Sequence, residues 1–378
     1  QSETKPFQVT NKSQFFSFNH FFALPLHLLN VLTMNLTIDI LNNEQISLLD
    51  NILKESKNII ICAHKSPDGD ALGSCIGFAN FIEKTYNKTA NIVVPDAFPD
   101  FLKWLPDNEK ILRYDKRQEY VDKLLQSADA IFCLDFNESS RIEEMQQSLD
   151  ASPAKKIMID HHLNPSMETV LTISHPEMSS TSELIFRIVW QMGFFEQQDS
   201  HHFAIPIYCG MMTDTGGFTY NSNNPEIYFI ICQLLTKHID KDKIYRNVFN
   251  NYSSWAIRLR GYILCQKLNV FEDRHASYFA ITKEEMKDYH FIKGDAEGLV
   301  NEPLRIKGLK MSISLREDDR KENKVWISIR SIDEVRSDLI ASEFFNGGGH
   351  EHAAGGKLDC SISEAEEIAK LAISSLNQ

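Results

Sequence analysis

Residues 155–164 read KKIMIDHHLN, an apolar run that ends in a carboxylate and two adjacent imidazoles. A β-branched, uncharged run of this kind has the texture of a buried strand, so Asp160, His161 and His162 fall where it would reach its sheet edge. The pattern recurs along the chain. His64 closes NIIICAH and is followed by KSPDGDALGS, which places Asp68 and Asp70 in a loop opening a helix. Asp135 closes AIFCLDF, and Asp214 stands in GMMTDTGGF. Each cluster taken alone reads equally well as a capped turn, since aspartate closes turns and caps helices. Taken together, His64, Asp68, Asp70, Asp135, His161 and Asp214 form a donor set for metal. Four carboxylates crowded on one edge would raise one another's pKa at a cost of roughly several kcal/mol. Two divalent cations would relieve that repulsion. Mixed imidazole and carboxylate donors suit Mn²⁺ better than Mg²⁺, which stands as a substitute, and no cysteine is offered that would favour zinc. Two such ions about 3.5–4 Å apart can activate a hydroxide and clamp a phosphoryl group for in-line attack. The chemistry predicted is metal-assisted hydrolysis of a phosphate ester or anhydride.

These residues need elements to bring them together. From Met34 to about Phe218, strand-like runs (58–64, 90–94, 130–136, 155–162) alternate with helical stretches (71–86, 121–127, 141–149). Such alternation predicts a doubly wound, mainly parallel sheet covered on both faces, which binds ligands beyond the carboxyl ends of its strands. The stretches 180–194 and 202–216 read as helices despite Pro206. Residues 34–220 are thus expected to form one α/β domain. A helical linker over 221–267 then leads into a smaller α/β domain over 268–378, with strands LNVFED, ASYFAIT, LKMSISLRE and KVWISIRS and a closing helix ISEAEEIAKLAISSL. EDDRKENK (317–324) reads as a solvated hairpin tip. The expectation for residues 1–33 is an extension upstream of a natural start at Met34.

Composition narrows the function classes. A net charge of -13 over 378 residues argues against duplex DNA as a partner, which demands a broad basic face. Seven cysteines without a C-x-x-C pair suit a reducing, cytoplasmic setting, with Cys62, Cys133 and Cys209 in apolar runs as core residues. The apolar stretch 21–32 is too short to span a bilayer, so no membrane association is expected. Two decoys stand apart. His201-His202 follows no strand and reads as a helix start, and the aromatic run 98–106 reads as core or interdomain packing.

The second domain carries a chemical motif of its own in FFNGGGHEHAAGG (344–356). Gly347, Gly348 and Gly349 either turn backbone N–H groups toward an anion or make a tight connection between strand and helix. His350 and Arg330 could add positive charge for a terminal phosphate. Arg141 either joins them or lies on a helix surface.

AHKSPDGDALGS, CLDF, IDHH and GMMTDTGGF resemble, in order, the four motifs of the DHH phosphoesterases. The glycine-rich stretch resembles the signature of the DHH-associated C-terminal domain, so the likeness covers nearly all of the chain from Met34. It implies that His64 and Asp68 hold one Mn²⁺ and that Asp70, His161 and Asp214 hold another, with Asp135 bridging. It further implies that His162 faces the scissile phosphate and that Asp160 orients a neighbouring histidine. The two-domain nano-RNase branch is the nearest in pattern. That branch implies short RNA oligonucleotides and 3′-phosphoadenosine 5′-phosphate (pAp) as substrates, and allows a homodimer. A dinucleotide, a polyphosphate or pyrophosphate substrate, or a non-catalytic nucleotide sensor, remain alternatives.

Overall fold

The all-apolar runs of the first half of the chain become a sheet buried on both faces, as parallel strands require. The computed structural model describes residues 36–376, and the fold is that of the unit beginning at Ile38. The expectation about residues 1–33 and Met34 lies outside the described residues.

After helix α1 (Asn43–Glu55) come β1 (Ile59–Cys62), α2 (Gly69–Tyr86), β2 (Ala90–Val94), β3 (Leu112–Arg113), α3 (Tyr114–Gln126), β4 (Ala130–Leu134), α4 (Gln146–Asp150), β5 (Lys155–Asp160), β6 (Leu171–Ser174), α5 (Thr181–Gln191) and α6 (Ile205–Asp214). All six strands are parallel, in the order β3-β2-β1-β4-β5-β6. The order reverses between β1 and β4, and ligands of doubly wound folds sit outside the strand ends at that point. Ile59 and Ile61 feed one core with residues of α2, α5 and α6, while Ile60 and Cys62 feed the opposite core with residues of α3 and α4. The sheet is therefore wrapped on both sides, as the alternation of strands and helices predicts.

The structure adds two strands to the expected four. β3 has only two residues, too short to show a period, and β6 (LTIS) lies in a stretch with few apolar residues around it. The segment 141–149, expected as one helix, is a 3₁₀ turn broken at Glu143 (φ 40°, ψ -111°) and followed by the short α4.

Three helices follow: α7 (Pro225–Thr236), α8 (Lys241–Phe249) and α9 (Ser254–Tyr262). Ile227, Ile230 and Leu234 of α7 and Ile244 and Val248 of α8 pack into the first core. Leu259 of α9 packs instead with Phe279, Ile281 and Met286. The connection thus changes sides between α8 and α9.

The remaining elements are β7 (Asn269–Phe271), β8 (Ala276–Ile281), α10 (Lys283–Asp288), β9 (Met311–Glu317), β10 (Val325–Ser331), α11 (Ser337–Phe344), β11 (Gly348–His350), β12 (Ala353–Leu358) and α12 (Ile362–Ser374). They build a second, mixed sheet in the order β11-β12-β10-β9-β8-β7, in which only β8 and β9 pair in parallel. Ile313, Ile329, Ala354, Ala369 and Ile373 join its strands to α11 and α12. The glycine run divides: Gly347 lies in the short connection between α11 and β11, and the two glycines after it are strand residues. Gly348 and Gly349 lie in the edge strand β11, paired with Gly355 and Ala354. The Gly347 N–H donates to the Ala341 carbonyl at 3.1 Å. Its Cα lies so close to the backbone of Gly355 and Gly356 that a side chain would not fit.

Candidate metal centre

Asp68 is the N-cap of α2, where an aspartate accepts the first orphan N–H groups of a helix. Its Oδ1 accepts from the backbone of Asp70 and Ala71, both at 3.0 Å. That leaves Oδ2 toward Nε2 of His64, 3.8 Å away. Nδ1 of His64 sits 2.8 Å from the Lys65 carbonyl, so it carries the proton and frees Nε2 to face the site.

Asp70, one position into α2, is fully buried. Its carboxylate meets the N-terminus of α5: Oδ2 accepts from Thr181 N at 2.6 Å and Oδ1 from Ser182 N at 2.8 Å. Buried anions settle at helix N-termini because the orphan N–H groups and the dipole both favour them. α2 can approach α6 this closely because Gly73 lies against the Pro206 carbonyl and Gly210, with no room for a Cβ.

Asp135, just beyond β4, is buried and has φ of +66°, a left-handed conformation that aspartate tolerates better than most residues. Its Oδ2 is 3.4 Å from His64 Nε2, and its Oδ1 is 3.6 Å from His161 Nε2 and accepts from the Thr181 hydroxyl at 2.9 Å. His161 Nε2 also lies 3.1 Å from Asp214 Oδ2 and 3.8 Å from Asp70 Oδ2, while its Nδ1 is 3.2 Å from the Met178 carbonyl. Asp160 is wholly buried and holds His162 twice, at Nδ1 (2.7 Å) and at the backbone N–H (3.0 Å).

All six expected donors thus converge beyond the strand ends around the switch point. Two groups of close donor atoms, His64–Asp68–Asp135 and Asp70–Asp135–His161, share Asp135. From the second sheet, His350 places its ring 4.8 Å from that of His161 and 4.7 Å from that of His162. Arg330 stands opposite Ala353, as His350 does from the other side, so the two share one face of the sheet; its NH1 bonds to the Ile329 carbonyl at 3.0 Å and its buried Nε has no partner among the described residues. Gly347 spends its N–H on Ala341, so it offers none to an anion. The decoy histidines lie elsewhere, with His202 against Asp107 and Asp199 at the start of α6.

The electrostatics state what the cluster wants. Among the described residues, Asp68, Asp70, Asp135 and Asp214 form ion pairs with histidines alone, never with lysine or arginine. Burial, with Asp135 and Asp214 beside it, pushes the Asp70 carboxyl well up. Burial and the neighbouring Asp68 and Asp135 raise Asp214, against the pull of His161. Burial would lower His64, but Asp135 and Asp68 outweigh it and lift the imidazole to about 10. His350 is held neutral, its pKa lowered to about 3 by burial and by His161 and His162. Against burial, His64 pulls the Asp68 and Asp135 carboxyls below the ordinary carboxylate value. The mutual repulsion expected of all four therefore falls on Asp70 and Asp214 alone, and divalent cations with oxygen and imidazole ligands suit that unrelieved pair.

Sequence reasoning did not find Ser180, Thr181 and Ser182, although S-x-x-E before an apolar run does signal a helix start. Nothing in the local pattern connects that helix start to residues more than a hundred positions earlier.

A doubly wound parallel sheet whose switch point gathers carboxylates and imidazoles defines a metal-dependent phosphoesterase. The family model described as the DHH family, N-terminal domain, matches residues 58–211. A Bacteroides fragilis structure described as an exopolyphosphatase-related protein is 48% identical, with 90% of this chain and 98% of that one covered and a TM-score of 0.84. The Thermus thermophilus protein named bifunctional oligoribonuclease and PAP phosphatase NrnA is 27% identical over 318 residues, covering 83% of this chain and 89% of the relative. RecJ of Thermus thermophilus, solved in complex with Mn²⁺, shares the fold at 11% identity and a TM-score of 0.51, with 89% and 55% coverage. The chain belongs to the DHH family of phosphoesterases. Among the described residues no helix is long and apolar enough to cross a membrane.

Proposed function

We propose that this protein is a Mn²⁺-dependent hydrolase of phosphate esters in short RNA oligonucleotides and in pAp. The observation that carries this reading is Asp135, shared between the donor groups His64–Asp68 and Asp70–His161. His64, Asp68 and Asp135 would hold one cation, and Asp70, His161, Asp214 and Asp135 a second. When bound, the cations would supply the Lewis acidity that makes water nucleophilic at neutral pH and neutralises phosphoryl oxygens.

The chain's own residues do the rest. His162, oriented through Nδ1 by Asp160, turns Nε2 to the reacting phosphate and hydrogen-bonds its oxygen or protonates the leaving oxygen. Arg330, with its unpartnered Nε, holds a phosphate at the substrate's far end, beside His350 and the Gly348–Gly349 edge. His350, stacked over His162, narrows the cleft and excludes water. A substrate gripped at both ends must be short, which supports small nucleotides over long chains. The relative named for oligoribonuclease and PAP phosphatase activity supports that substrate class. We assign catalysis to residues 34–220 and substrate binding to 268–378, joined through 221–267. Seven free thiols support a cytoplasmic site of action.

The B. fragilis relative's name favours a second reading, hydrolysis of polyphosphate. A Mn²⁺-supplemented panel of pAp, pApA, a five-nucleotide RNA, a thirty-nucleotide RNA, pyrophosphate and polyphosphate separates the two. Preference for pAp and the short oligomers supports the first. Preference for polyphosphate would keep the metal centre and replace the account of the second sheet.

A further inference from the structure

Besides the His350 contact, the second half of the chain touches the first at another place beside the site. Residues Ile292–Asp295 make a tight turn, closed by Asp295 N to the Ile292 carbonyl at 3.1 Å and by Ile292 N to Asp295 Oδ2 at 2.9 Å. Gly294 occupies its third position at φ +106°, where a side chain would be strained, and the turn presents Lys293 at its tip. Gly294 also seats the turn, since a Cβ there would stand 3.2 Å from the Phe101 ring and from Pro99. Lys293 Nζ donates to Asp96 Oδ2 at 3.1 Å, to Ser66 Oγ at 3.4 Å and to the Ala97 carbonyl. The other oxygen of Asp96 accepts from the backbone N–H of Ser66 at 2.6 Å.

Ser66 is the consequential partner. It stands midway between His64 and Asp68, at φ +54°, a left-handed conformation that a serine keeps only when its surroundings hold it there. Asp96, in the loop after the neighbouring strand β2, supplies that hold. An isolated surface ion pair contributes little, but here one ammonium meets three acceptors and fixes the carboxylate that fixes the strained residue.

We propose that Lys293 is a positioning residue: by docking on Asp96 it locks Ser66, and so sets His64 and Asp68 for cation binding when the two halves of the chain close together. This rests on the reading of His64 and Asp68 as cation ligands. Because linkage is reciprocal, cation binding in turn favours the docked arrangement.

The test is a calorimetric titration of the full chain with Mn²⁺, alongside melting temperatures of the metal-free proteins. Lys293→Ala is expected to weaken Mn²⁺ binding about tenfold, the low end for groups that orient ligands, with little change in melting temperature. Asp96→Asn keeps an acceptor for Ser66 N–H but loses the charge, and should match Lys293→Ala. Asp96→Ala loses both and should bind more weakly still. Lys293→Arg should recover most of the affinity, and Lys310→Ala, a lysine paired with Glu334 away from this contact, should bind as the wild type does. At saturating Mn²⁺ the kcat of Lys293→Ala should return toward wild type. Unchanged Mn²⁺ affinity in Lys293→Ala, with the wild type binding normally, overturns the proposal. Failure of the wild type to bind Mn²⁺ overturns the cation reading itself, and the proposal with it.

Discussion

The carboxylate of Asp70 is gripped by the helix that begins at Thr181: Thr181 N–H reaches one oxygen at 2.6 Å, and the Thr181 hydroxyl reaches Asp135 at 2.9 Å. One residue therefore orients two of the candidate metal ligands. Thr181→Val keeps the N–H bond and removes the hydroxyl. Mn²⁺ affinity should fall about tenfold or more, while stability drops by only about 1–2 kcal/mol for the lost buried hydrogen bond. Metal titration and urea denaturation of the same variant check the two figures.

Asp135 belongs to both donor groups, so its loss should damage both at once. Asp135→Asn is expected to lower kcat about a thousandfold or more, as removal of a central electrostatic group does. Wild-type protein stripped with a chelator should lose activity and regain it with Mn²⁺. At a hundred times the dissociation constant, Mn²⁺ should add about 2.7 kcal/mol to stability, readable as a rise in melting temperature that Asp135→Asn lacks.

His162 depends on Asp160, whose Oδ1 lies 2.7 Å from Nδ1. Asp160→Asn can present its amide NH₂ to the ring and favour the wrong tautomer. The expectation is a fall in kcat of about a hundredfold or more with KM little changed. A rise in KM with unaltered kcat would count against this role for His162.

Glu183 and Arg187 are wholly buried one turn apart on α5, with Arg187 Nε and NH2 at 2.9 and 2.7 Å from Glu183 Oε1. Glu183 also accepts from the N–H and hydroxyl of Ser179, just ahead of the helix that holds Asp70. Arg187→Leu takes the guanidinium from a buried carboxylate and should cost about 3–5 kcal/mol. The midpoint of urea unfolding reads it directly.

Asp318 anchors the β9–β10 hairpin. Although burial raises its pKa, bonds from Arg320 N, Lys321 N and Trp326 Nε1 at 2.8–2.9 Å win and hold it below the ordinary carboxylate value. A depressed folded-state pKa contributes stability above the unfolded value, and that stability is lost as pH falls through the folded one. Below about pH 4 the hairpin should loosen around Trp326, visible in its fluorescence. Asp318→Asn should remove this acid dependence.

The sequence by itself determined the parallel sheet and the edge at which chemistry collects. Runs such as IIIC and IFCL are apolar on both faces, which only a sheet covered twice can bury, and residues following parallel strands must emerge on one edge. His64, Asp135 and His161 could be placed together on that ground alone. Tertiary structure decided what local pattern does not encode. β3 and β6 are too short or too polar to announce themselves and exist because a neighbouring strand offers its hydrogen bonds. The glycine run looked free to wrap an anion, but pairing with β12 makes most of it an edge strand. The capping segment Ser180–Thr181–Ser182 could be recognised as a helix start, yet its hold on Asp70 also needs Gly210 of α6, where a Cβ would strike Ser182 and the Asp70 carboxylate. Lys293 and Asp96 lie nearly two hundred residues apart, and either alone is an ordinary surface charge. Pairing over such distances is set by how two finished cores meet, which no periodicity in the chain records.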